Sequence, residues 1–182
     1  VYGYAVASAM VRLGRWSEAL TIANESARFS ERSNDPLGRA YALGLVARSH
    51  MGMGQAREAL QAAELALELM DTRADEREHN FNQLQRVTAL LALDRVPEAL
   101  GALERIQPTV ERRGELEALR EHRALRAQAL ARLERWRDAY ESLRAARDTD
   151  GQLAQQRVSE QSARLGMQFN RERNAEIGRA HV

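Results

Sequence analysis

Four histidines are the first residues to weigh, because imidazole can ligate metals and move protons near neutral pH. His50, His79, His122 and His181 lie far apart in the chain. Only Glu76-x-x-His79 has helical ligand spacing, and one i, i+3 pair needs further ligands before it holds a metal. The set therefore reads as ordinary polar residues on helix surfaces. With 0 Cys there is no thiolate nucleophile, thiolate metal site or disulfide. Glu115 and Glu117 fall on different faces of a helix, and neither a G-x-S-x-G turn nor a Gly-rich phosphate loop occurs. The expectation is a non-catalytic chain that takes no cofactor and no metal.

The elements that position these side chains follow from composition and pattern. The 182 residues are 44% hydrophobic, 29% charged and 5% aromatic, with only 3 Pro. That balance excludes collagen-like and disordered classes and favours helix. All 27 basic residues are Arg, set against 26 acidic ones. Their interleaving suits salt-bridged solvent faces rather than a one-sided nucleic-acid surface. The longest apolar runs, at 43–47 and 89–93, fall far short of the ~20 residues a membrane span needs. The chain opens on Val1 without a signal-peptide pattern, and a piece of a longer protein is expected.

A repeat organises the chain. Leu13-Gly14-Arg15-Trp16-Ser17-Glu18-Ala19-Leu20 aligns without gaps with the octets beginning at Met53, Leu93 and Leu133, so that Gly14, Gly54, Asp94 and Glu134 recur every 40 residues. Glycine supplies the backbone freedom of a tight helix exit; Asp94 and Glu134 fill that slot less comfortably. Trp16, Ala56, Val96 and Trp136 can pack beneath the turn, and Pro97 sits in a first helical turn, where its missing N–H costs nothing. Ala19, Ala59, Ala99 and Ala139 never vary, which implies close approach of another helix. Ala7, Ala47, Val87 and Ala127 form the partner slot of the preceding helix, and Ala23, Ala63, Leu103 and Leu143 extend the buried stripe of the following one. Trp16 and Trp136, being repeat-equivalent, are read as core rather than as ligand platforms.

Asp35-Pro36 marks a capped helix start, Asp75 to Glu78 has capping spacing, and Thr149-Asp150-Gly151-Gln152 reads as a capping box opening a last helix. Pro108 is expected to end or kink its helix, with Gly114 in the loop behind it. Helices are placed at 1–13, 16–31, 36–53, 56–71, 75–93, 96–107, 115–133, 136–148 and 151–177. The domains are four hairpins over 1–148, a capping or connector helix over 149–176, and a non-native tail over 177–182.

Residues 1–148 resemble the tetratricopeptide repeat family through the two small-residue slots and the turn Gly14-Arg15-Trp16. The period departs from that family's usual ~34 residues. The resemblance implies an all-α, right-handed superhelical solenoid with a concave groove lined by the first helix of each hairpin, here Tyr4, Ser8, Tyr41, Arg48, Phe81, Leu84, Thr88 and Gln128. Phe81, Leu84, Thr88 and Leu91 also follow a stripe that core packing alone would explain. The groove lacks the Lys and Asn pattern with which chaperone-binding members clamp a C-terminal carboxylate. Gln168-Phe169 and Glu172-Arg173 resemble the helix that follows repeat arrays in bacterial diguanylate cyclases of the GGDEF type and in sensor histidine kinases. That likeness implies the sensory region of a signalling protein; an adaptor for complex assembly and the effector-binding region of a transcription activator are the alternatives. The partners implied are a protein, a peptide or a small ligand, with no nucleic acid and no membrane span, and self-association through the C-terminal helix.

Overall fold

The computed structural model describes residues 2–70 and 75–180, with side chains for 3–70 and 75–171. Among these are eight helices and no strand: α1 (Tyr2–Arg12), α2 (Trp16–Arg32), α3 (Pro36–Gly52), α4 (Ala56–Glu68), α5 (Glu76–Ala92), α6 (Val96–Arg113), α7 (Leu116–Arg132) and α8 (Trp136–Ala180). The ends expected at residues 1 and 71, and His181 with Val182, lie outside the described residues.

Each hairpin turn is made the same way. The N–H of Gly14, Gly54, Asp94 and Glu134 donates to the carbonyl three residues back, and the next N–H reaches five back, as in Arg15 to Met10 at 3.0 Å and Arg135 to Leu130 at 2.9 Å. This paired exit needs a left-handed residue. Gly14 and Gly54 adopt φ of 71° and 75°, and Asp94 and Glu134 are forced to 60° and 58°. Helix starts are capped where expected: Asp35 accepts from the Gly38 N–H at 2.8 Å and Asp75 from the Glu78 N–H at 3.1 Å.

Consecutive helices pack in order. Of the non-consecutive pairs only α1 with α3, α3 with α5, and α5 with α7 also touch. The odd-numbered helices thus form one row and the even-numbered helices the other, an all-α helical-hairpin solenoid. Ala19, Ala59, Ala99 and Ala139 are all buried, as are Ala7, Ala47, Val87 and Ala127 across from them. A larger side chain at these slots would force the helix axes apart.

Three expectations about the course of α6 and α8 fail. α6 does not end at Pro108 but continues to Arg113, closing at Gly114 with φ of 63°; Pro108 lies on the solvent face, and packing of Ile106 and Val110 holds the turn around it. No loop forms at 149–151, and α8 is one 45-residue helix. There Thr149 is fully buried, its hydroxyl donating to the Ala145 carbonyl at 2.9 Å and accepting from Arg123 of α7 at 2.6 Å. An N-cap would require that hydroxyl to turn onto the backbone ahead of it. Finally, α8 does not cap the array. From Ala154 to Arg171 every residue is exposed, Val158, Leu165 and Phe169 included.

The same absence explains Trp136. Trp16 is half-buried beneath α3, with Gly52 against its ring, whereas Trp136 is 66% exposed. Among the described residues no further helix packs over it, so the residue read as core is surface, and Leu143 is exposed as well.

Candidate functional site

The odd-numbered row begins at a cleft of about 890 Å³ enclosed by α1, α2, α3 and the start of α5. Its apolar walls come from Tyr4, Ile22, Phe29, Leu37 and Tyr41; Glu25, Asp35 and Glu78 supply carboxylates, and Arg32 one positive charge. Phe29 and Leu37 are exposed, so apolar surface at the mouth is already open to solvent.

Tyr4 and Tyr41 meet on adjacent helices with ring centroids 6.1 Å apart and planes tilted by 54°. Tilted aromatic pairs of this kind are favourable beyond the area they bury. The Tyr4 hydroxyl donates to Glu78 Oε1 at 3.4 Å, and the Tyr41 hydroxyl donates to Asp75 Oδ2. Asp75 is the N-cap of α5, so one carboxylate both starts a helix and fixes an aromatic wall of the cleft.

The electrostatics follow from this crowding. Burial and the neighbouring Asp75 raise the Glu78 carboxyl above its ordinary range, and its Oε2 is buried without a hydrogen-bond partner. Burial also works to raise Asp75. The hydrogen bonds from Tyr41 and from the Glu78 and Arg77 N–H groups outweigh it, leaving Asp75 below its usual value. Tyr4 is pushed up to about 12, first by burial and then by the charge of Glu78, and Tyr41 is raised in the same way by burial and Asp75. The site is thus an acidic, aromatic cleft whose phenols stay protonated at neutral pH.

The groove residues expected from sequence divide. Tyr4 and Tyr41 line the cleft. Further along the row, Arg48 stands 5.7 Å from the centroid of the Phe81 ring, within cation–π range. Ser8 accepts from Arg12 at 3.5 Å, and Thr88 donates to the Leu84 carbonyl at 2.8 Å. Leu84 is no groove residue: it lies in the main core with Val87, Leu90 and Leu103. Gln128 is exposed on α7 and takes no part in the cleft. Ile22, Phe29 and Glu25 were not anticipated, because they stand on the second helix of the first hairpin. Glu78 was visible only as part of a capping pattern.

Among the described residues, His50, His79 and His122 share no centre. Glu76 is ion-paired with Arg112 at 2.6 Å, and burial lowers His79. His122 departs from the surface reading: it is buried, with Nε2 3.0 Å from the Leu103 carbonyl, and burial holds it below its ordinary value. Its repeat position faces α6, where no solvent reaches. Among the described residues no three His, Asp or Glu side chains gather as a metal site would require, and no helix is long and apolar enough to cross a membrane.

No protein-family model matches the chain, and comparison with curated proteins finds no relative.

Proposed function

We propose that this chain is a non-catalytic, tetratricopeptide-like binding module that takes an apolar peptide segment carrying a cationic group into the cleft between α1, α2, α3 and α5. The observation that carries the reading is the cleft itself, about 890 Å³ with aromatic and aliphatic walls and carboxylates from Glu25, Asp35 and Glu78. That volume falls within the range of sites that enclose small ligands or a few peptide residues. Three carboxylates against one guanidinium favour a positive occupant. The aromatic walls are held by Asp75 and Glu78, so little order has to be created on binding.

Selection from a displayed peptide library tests the reading. Bound sequences are expected to pair Leu or Phe with Lys or Arg. Phe29→Ser and Glu25→Gln, both at solvent-facing positions, should each weaken a selected peptide at least about fivefold, roughly 1 kcal/mol, with unchanged melting. Peptides indifferent to both substitutions would place the binding surface elsewhere.

On the resemblance of the C-terminal helix alone, we further propose that the setting is the sensory region of a bacterial signalling protein, with α8 as the element leading out of the array. A ligand shifts such a system only through differential affinity for two states. In the full-length protein, one or two residues inserted after Phe169 should uncouple output, since each turns the helix by about 100°, and seven should largely restore it. Output indifferent to every insertion supports the adaptor alternative.

A further inference from the structure

We propose that two copies of this chain associate through an antiparallel pairing of their α8 helices, each copy covering the open end of the other's array. The inference is independent of the cleft and rests on what lies along α8. At about 100° per residue, Trp136, Tyr140, Leu143, Val158, Leu165 and Phe169 all fall within an arc of about 80° on one face of the helix. All six are exposed. Ala139, Ser142, Ala146 and Thr149, the residues buried against α7, occupy a different side. The apolar stripe is therefore not the face that holds α8 to the array.

The first half of the stripe has known counterparts. The slots of Trp136, Tyr140 and Leu143 are those of Val96, Leu100 and Leu103 in the third hairpin, all buried, and of Trp16, Leu20 and Ala23 in the first, buried or half-buried. In each earlier hairpin the cover is the next helix, packed antiparallel to it. In the fourth, Trp136 and Tyr140 are 66% and 67% exposed. The missing occupant is thus an antiparallel helix, but one far longer than a repeat helix, because the stripe runs from Trp136 to Phe169, about 50 Å. The second copy's α8 has that length and carries the matching stripe.

Register and charge agree with this occupant. With the helices antiparallel and centred between Gln152 and Leu153, Trp136 faces Phe169 of the second copy and Tyr140 faces Leu165. Arg147 lies beside Val158, and Gly151 meets Ala154 where the axes cross. No heavy atom would contact a Cβ placed on Gly151, so this part of α8 is open to a close neighbour. Asp150, exposed and 3.7 Å from Arg120, faces the second copy's Arg157. A parallel pair would instead oppose Arg147 with Arg147 in the centre of the stripe, which is repulsive. Antiparallel pairing also sets the two arrays at opposite ends. A contact strip about 50 Å long and about 10 Å wide on each copy covers on the order of 1,000 Å² in total, the lower limit for a specific interface.

The test uses the chain as it stands. Sedimentation velocity should show a monomer–dimer equilibrium between about 1 and about 300 μM, the range expected of an interface of this size. Leu165→Glu, far from the repeats, should weaken it at least about tenfold with helix content and melting of the array retained. Because the chain has 0 Cys, single thiols report the direction. Arg147→Cys mixed with Val158→Cys should give an oxidised heterodimer, while neither variant alone cross-links, its own thiols lying about 16 Å apart along the pair. A monomer at every concentration, a dimer indifferent to Leu165→Glu, or cross-linking of each variant with itself would each overturn the proposal.

Discussion

Trp16 and Trp136 hold the same repeat slot, so a comparison of the two isolates what a stacked helix contributes. Over Trp16 stands the end of α3, where a Cβ added to Gly52 would lie 2.2 Å from Cδ2 and 2.6 Å from Cε2 and Cε3 of the indole. The ring fills the space a methyl group would need. Gly52→Ala should therefore displace the ring at an overpacking cost of about 1–3 kcal/mol. The helix-propensity gain at this final helical position is below about 1 kcal/mol, so the net change is a loss. Trp16→Ala removes a half-buried indole and should cost about 2 kcal/mol, roughly half the value for a fully buried aromatic. In the Trp16→Ala background the added methyl enters emptied space, and Gly52→Ala should become neutral or slightly stabilising. The coupling in the double-mutant cycle should reach about 2 kcal/mol. Trp136→Ala should cost less than about 1 kcal/mol when measured in the Leu165→Glu background, in which the pairing is weakened. Urea unfolding followed by circular dichroism measures all of these. Equal effects of Gly52→Ala in both backgrounds, or equal costs at the two tryptophans, would refute the view that burial in this slot comes from the next helix.

Three other expectations follow. Ala99→Glu places a charge in a fully buried slot between helices and should cost at least several kcal/mol, enough to lose the cooperative thermal transition of the third hairpin. Asp94→Gly and Glu134→Gly relieve left-handed backbone at φ of 60° and 58° and should each raise stability by about 1 kcal/mol, read as an upward shift in melting temperature. Glu78 is raised in the fold by burial, so its favourable contribution is present below the unfolded value of 4.5 and is lost as pH rises through the folded one. Glu78→Gln should accordingly gain stability over the parent from weakly acidic to neutral pH and show no advantage below about pH 4, measured by urea titration across that range.

Much of the fold is legible in the sequence because its signals are local. A hairpin exit closes through hydrogen bonds spanning at most six residues, and a cap such as Asp35 or Asp75 acts within four. The octet and its helix starts therefore read directly from the residues, as do the small slots at Ala19 and Ala59, whose period alone implies a neighbour. The cleft was less legible. Tyr4 and Glu78 lie 74 residues apart, and Phe29 faces the same space from the other helix row, so no local pattern joins them.

What tertiary structure alone decided is whether a given apolar face meets another element. Trp16 and Trp136 have the same identity and repeat phase; one has Gly52 above it and the other has solvent. Thr149 precedes Asp150-Gly151, a sequence suited to a break, yet Arg123 of α7 binds its hydroxyl from a helix 26 residues earlier and α8 continues unbroken. Pro108 is tolerated because Ile106 and Val110 are anchored in the core around it. Local sequence determines which conformations are available to a segment. Which one is occupied depends on contacts from distant segments, whose free energy outweighs the roughly 1–3 kcal/mol preferences of single turn and helix residues.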